Sequence, residues 1–173
     1  MSRQRIETSL QTLVVMRHGD YQSVKKYDYK DGPLIPESVA KVTSTAYQLK
    51  EILTPIGFLE RGHSIMVTSD RVRAKETAEI VQSILGLTCL TLPQLGLDDR
   101  GHTPGGDQVL RALENILLKG GGWKGLVVVT HEEQTEWLPQ LLHPKVNSLQ
   151  SSLYYGNAAV YDNSGSVVRV YPK

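Results

Sequence analysis

The sequence predicts an α/β fold: a three-layer sandwich with a mostly parallel central sheet, helices on both faces and a C-terminal hairpin. Three observations carry that reading. Short, β-branched apolar runs alternate with longer stretches of helical spacing along most of the chain. Strands alternating with helices of that length give a mainly parallel sheet covered on both sides. Only the tail departs, with two alternating runs around a turn signal.

The elements follow in order. Thr12–Met16 ("TLVVM") is short and β-branched, and it reads as a buried first strand. A loop broken by Gly32, Pro33 and Pro36 leads to a helix over Glu37–Leu53, with Val39, Val42, Ala46, Leu49, Ile52 and Leu53 at helical spacing. Ser64–Thr68 ("SIMVT") is the second strand. Val72–Leu85 is the second helix, stopped by Gly86. Thr88–Leu92 is the third strand, followed by a glycine-rich loop over Gln94–Gly106. Asp107 can cap a third helix running to about Leu118, which ends at three glycines. Leu126–Thr130 ("LVVVT") is a fourth buried strand and Glu132–Leu142 a helix. Thr130 and Glu133 have the spacing of a capping box. Ala158–Tyr161 and Val167–Tyr171 form the hairpin about Asn163-Ser164-Gly165.

With 173 residues the chain fits a single domain, 1–173, in which residues 1–11 are expected to be a flexible start. It is 40% hydrophobic and 21% charged with a net charge of +1, which argues against a nucleic-acid or membrane partner. The charged opening "MSRQRIETSLQT" lacks a signal-peptide core, and no apolar run approaches the ~20 residues that span a bilayer. The single cysteine, Cys89, reads as a core thiol with no metal spacing around it. A reducing, cytoplasmic setting is the expectation. Oligomeric state is not encoded legibly.

In such sheets ligands bind outside the carboxyl ends of the strands. "VVMRHGD" places Arg17, His18 and Gly19 after the first strand. Ser69-Asp70-Arg71-Val72-Arg73 follows the second, and His131 follows the fourth. Two histidines and at least two arginines therefore converge on one edge, beside a helix N-terminus. That is an anion site, and its chemistry suits phosphoryl transfer, in which charge lies on the equatorial phosphoryl oxygens. Arginine stays charged and donates in bidentate fashion, and a neutral imidazole is a competent nucleophile near neutral pH. A second imidazole, if protonated, can donate to a phosphoryl oxygen. No carboxylate cluster suggests a metal, and no cofactor is expected. Arg71, His63 and His143 are expected at the surface.

"RHG" after the first strand, "TSDRVRAKETA" after the second and "VVVTH" after the fourth resemble the histidine phosphatase superfamily, also called phosphoglycerate mutase-like. The short chain is most similar to its small SixA phosphohistidine phosphatase branch. The resemblance implies the same sandwich fold. It also implies that His18 is transiently phosphorylated, that Arg17, Arg73 and His131 hold the phosphate, and that Gly19 lets the backbone pass close to it. Asp70 stands where the family usually has proline, and Ser38 replaces a glycine of the segment resembled by "PLIPESVAKV". An aspartate at position 70 weakens anion binding if it points inward. Many members take a proton donor from the loop after the third strand. Here that loop, "QLGLDDRGHTPGGD", offers Asp98, Asp99 and His102 and no glutamate.

The expected activity is a metal-independent phosphatase with a phosphohistidine intermediate, acting on a phosphohistidine of a protein. One alternative is a small-molecule phosphomonoesterase for a sugar phosphate or nucleotide. Another, of a different class, is a non-catalytic phosphate-binding or interaction module.

Overall fold

A computed structural model describes residues 10–23, 31–97, 102–119, 122–143, 146 and 153–172. Six strands form one sheet: β1 (Thr12–Arg17), β2 (Ser64–Thr68), β3 (Cys89–Thr91), β4 (Gly125–Thr130), β5 (Ala158–Asp162) and β6 (Val167–Val170). Their order is β3-β2-β4-β1-β5-β6. The pairs β1/β4, β4/β2 and β2/β3 are parallel, whereas β1/β5 and β5/β6 are antiparallel. The described residues also form four α-helices, α1 (Pro36–Leu53), α2 (Val72–Leu85), α3 (Gly106–Lys119) and α4 (Glu132–Leu142), and a 3-10 turn at Pro93–Leu95. The expected three-layer α/β sandwich with a C-terminal hairpin is the observed fold.

Strand alternation sorts the core onto two faces. Val14 and Met16 of β1 pack with Val42, Ala46 and Leu49 of α1 and with Ala74, Ala78 and Val81 of α2. Leu13 and Val15 point the other way, into a second cluster with Val109 and Leu113 of α3 and Leu138 and Leu142 of α4. Every residue of β1, β2 and β4 is buried, as their continuous apolar runs require.

Several local expectations are corrected. Thr130 is not the cap of α4. His131 holds that position without a side-chain cap bond, while the Thr130 hydroxyl donates to the Gln134 side chain and Glu133 accepts from Thr103. Asp107 lies inside the first turn of α3 rather than before it. Leu10 and Gln11, placed by sequence in the flexible start, are fixed: Leu10 is buried and the Gln11 amide donates to the Lys124 carbonyl. Cys89 is only half-buried because β3 is a short edge strand. Val39 and Val72 read as apolar helix positions but are exposed. His143, expected at the surface, is buried where α4 ends. His63 is partly exposed and pairs with Glu60.

Register places the site. Arg17 is opposite Thr130, and Thr68 is opposite Val129, with β4 lying between β1 and β2. The residues that follow, His18, His131 and Ser69, therefore leave three adjacent strands at one edge. Among the described residues no helix is long and apolar enough to cross a membrane.

Candidate active site

His18, Arg73 and His131 form one connected unit. The Arg73 Nε–H donates to His18 Nε2 at 3.0 Å and its Nη2 donates to His131 Nδ1 at 3.2 Å. Each imidazole must then present a lone pair at that nitrogen and carry its proton on the other one. The remaining contacts agree. His18 Nδ1–H donates to the Gly19 carbonyl at 2.7 Å, and His131 Nε2 lies 2.9 Å from the Ser69 hydroxyl. Both rings are thus neutral, with the Nε2 lone pair of His18 facing the arginine.

Electrostatics give the same protonation states. Burial lowers the His18 pKa to about 3, with the nearby Arg73 charge adding to the effect. Burial likewise lowers His131 to about 2, helped by His18 and Arg73. His131 is therefore neutral in the pocket as it stands, and it must take up a proton before it can donate to a phosphoryl oxygen from Nδ1.

A consequence for stability follows with a definite sign. In the unfolded chain both histidines take up protons near pH 6.5, whereas the folded chain resists to about pH 3 and about pH 2. The unfolded state binds more protons in that window, so stability is full above pH 6.5 and falls as the pH drops. Each histidine is expected to contribute a slope of up to about 1.4 kcal/mol per pH unit below its unfolded pKa. Urea unfolding between pH 7 and 5 measures this, and His131→Gln should remove about half of the slope. An unchanged slope in that variant would contradict the buried neutral state.

Arg17 is held differently. Its Nη2 pairs with Glu132 at 2.7 Å, its Nη1 donates to the Leu153 carbonyl at 2.9 Å, and its guanidinium stacks 3.9 Å above the Tyr155 ring. Arg73 is matched in kind, 4.4 Å above the Tyr21 ring and 3.5 Å from Asp31. A tyrosine thus backs each arginine, and the two rings flank His18 at centroid distances of 5.7 Å (Tyr21) and 5.5 Å (Tyr155). These stackings keep the guanidinium planes in place while leaving their edges to donate.

The helix carrying Arg73 is anchored from both sides. Asp31 accepts from the Val72 amide at its N-terminus. One turn on, the Thr77 hydroxyl donates to the Arg73 carbonyl at 2.7 Å and accepts from the Gly19 amide at 3.0 Å. Thr77 therefore ties the histidine loop to the arginine helix.

Arg17, His18, Arg73 and His131 all line one cleft of about 160 Å³, together with Tyr21 and Tyr155. Gly19 is adjacent, and its lack of a side chain is also required by packing on the helix side. A side chain there would meet Ser38, Leu34 and Val42, so the missing Cβ makes room for α1 and its approach. Asp70 is exposed beside Gly96 and does not line the cleft. Arg71 is half-buried rather than exposed and donates to the Leu97 carbonyl. Asp98 and Asp99 lie outside the described residues, and His102 is exposed. Among the described residues no group of three or more His, Cys, Asp and Glu side chains is placed to hold a metal ion.

Sequence reasoning missed Tyr21, Asp31, Thr77 and the two glutamates that follow His131. Ser69 could have been found by the rule that found His18 and His131, since it directly follows a strand. Tyr21 and Asp31 have no such signal.

No family model matches the sequence, and no curated protein is similar enough to match it. Solved structures do match. The protein histidine phosphatase SixA in complex with tungstate is 21% identical, over 92% of this chain and 94% of that one, with a TM-score of 0.58. A mycobacterial glucosyl-3-phosphoglycerate phosphatase is 14% identical over 87% and 89%, with a TM-score of 0.58. Phosphoglycerate mutase from Bacillus anthracis is 15% identical over 96% and 94%, with a TM-score of 0.53. The chain therefore has the histidine phosphatase fold, the one it shares with SixA and with phosphoglycerate mutase.

Proposed function

We propose that this protein is a phosphatase that forms a phosphohistidine on His18 and acts on a phosphohistidine of another protein. The observation that carries the reading is the Arg73 fork, which joins the His18 and His131 lone pairs inside the cleft that Arg17 also lines. An entering phosphoryl group competes for the same N–H donors. Once Arg73 turns them onto phosphoryl oxygens, the Nε2 lone pair of His18 is released and faces phosphorus. The negative charge of the substrate also favours proton uptake by His131, which then donates to an oxygen. Arg17 supplies a further donor when it exchanges Glu132 for the phosphate. His18 Nε2 attacks phosphorus, the bond to the leaving group breaks, and water then hydrolyses the phosphoenzyme.

Two features support a phosphohistidine substrate. The cleft is small and its rim carries the exposed Tyr155, so a residue displayed on a protein surface can enter. The tyrosine rings on either side of His18 suit a flat leaving group such as imidazole. A small phosphomonoester is the second reading, favoured by the likeness to glucosyl-3-phosphoglycerate phosphatase. The non-catalytic reading loses a support, because Asp70 is exposed beside Gly96 and is not among the residues that line the cleft. A cytoplasmic setting goes with the proposal and rests on the single cysteine.

The test is phosphate release from a phosphohistidine peptide in the presence of EDTA, with rapid quenching to trap the phosphoenzyme. Release that survives EDTA, with an acid-labile phosphate mapped to His18, is expected. Release from phosphomonoesters alone would replace the substrate assignment, and no release from any substrate would overturn the phosphatase reading.

A further inference from the structure

The cleft holds two carboxylates that no strand-end motif accounts for, Glu132 and Glu133, both in the first turn of α4. They are not equivalent. The Glu132 carboxylate is committed to Arg17 at 2.7 Å, and giving it a proton would break that ion pair. Glu133 instead accepts a hydrogen bond from the neutral Thr103 hydroxyl at 2.9 Å. Its other oxygen has no hydrogen-bond partner among the described residues. Thr103 itself lines the cleft from the loop before α3, so the bond ties the carboxyl group to the wall of the cleft that His18 also lines. Two phenols also line the cleft: Tyr155 lies under the Arg17 guanidinium, and burial pushes the pKa of Tyr21 upward, which makes it the poorer acid.

We infer that Glu133 is the proton donor to the leaving group and the base that later activates water. The inference rests on the phosphatase reading above. In the first step the His18 Nε2 lone pair forms a bond to phosphorus as the bond from phosphorus to the leaving group breaks. The departing electron pair takes the proton of the Glu133 carboxyl, which becomes a carboxylate. In the second step a water oxygen attacks phosphorus and gives its proton to that carboxylate. The P–N bond then breaks, and its electrons return to Nε2 as inorganic phosphate forms.

General acid catalysis matters most when the leaving group is basic, which gives the test its discrimination. Glu133→Gln keeps the shape of an exposed side chain and removes the proton. Wild type and variant are compared on a series of phosphomonoesters running from 4-nitrophenyl through phenyl to an alkyl ester. Glu133→Gln is expected to lose about 10²-fold in kcat/KM on the alkyl ester and less than about 3-fold on 4-nitrophenyl phosphate. Thr103→Val should give a smaller loss with the same grading. An equal loss on every ester overturns the proton-donor role, since a merely structural or electrostatic effect is blind to leaving-group basicity. No loss on any ester overturns it as well and moves the acid to Asp98 or Asp99. If the wild-type protein releases phosphate from none of these esters or from a phosphohistidine peptide, the phosphatase reading itself fails. That result is distinct from both of the others.

Discussion

His18→Ala is expected to lower phosphate release by about 10⁵-fold or more, the scale of loss seen when a covalent nucleophile is removed. No second group in the cleft can take over. In the proposed mechanism His131 takes up a proton and donates to a phosphoryl oxygen, with its other nitrogen on Ser69, so it keeps no lone pair to offer phosphorus. Arg73→Lys should cost about 10³-fold, although it keeps the charge. A lysine ammonium is one point of donation, whereas Arg73 reaches two imidazoles with two different nitrogens and stacks on Tyr21 by its plane. Because Arg73 stabilises the phosphoryl group during the attack that His18 makes, the double variant should be little worse than His18→Ala alone. Steady-state kinetics on a phosphohistidine peptide checks all three. Substantial turnover in His18→Ala would refute the covalent mechanism, and additive losses would mean that the two residues work independently.

The parts of this arrangement that are legible in the sequence are those governed by period and position. Continuous apolar runs revealed β1, β2 and β4, and the parallel-sheet rule then placed Arg17, His18 and His131 at a common edge. Arg73 was found because its helix begins directly after β2. What stayed hidden depends on long-range geometry. Asp31 reaches the start of α2 from a loop 41 residues earlier, and no local pattern encodes that distance. Glu132 and Glu133 looked like ordinary first-turn acids, favoured at any helix start by the dipole, until the fold turned that helix end into the cleft. The capping box failed for a related reason. Thr130 is the last residue of a buried strand and its hydroxyl bonds a side chain, so its spacing to Glu133 carried no capping. His143 follows a similar logic, since its place beside a turn said nothing about what would cover it.

Gly19→Ala is expected to destabilise the protein by about 1–3 kcal/mol, the usual cost of forcing extra volume into a packed interior. The backbone of Gly19 is not in the left-handed region, so the cost arises from space and not from conformation. A Cβ would collide with Ser38 Oγ and stand 2.9 Å from Leu34 Cδ2 and 3.1 Å from Val42 Cγ2. Ser38 is the decisive neighbour. It is 1% exposed, its hydroxyl has no hydrogen-bond partner, and it stands where the resembled family carries glycine. Ser38→Ala alone should therefore be neutral or slightly stabilising, because it removes an unpartnered buried hydroxyl. Added to Gly19→Ala, it should recover about 1 kcal/mol by deleting the atom of closest approach, a coupling that urea denaturation of the four variants measures. Strict additivity would mean that Ser38 Oγ is not what excludes a side chain at position 19. Activity should follow the same order as stability. The Gly19 carbonyl accepts the His18 Nδ1 proton, so any movement of this peptide disturbs the tautomer that leaves Nε2 free to attack.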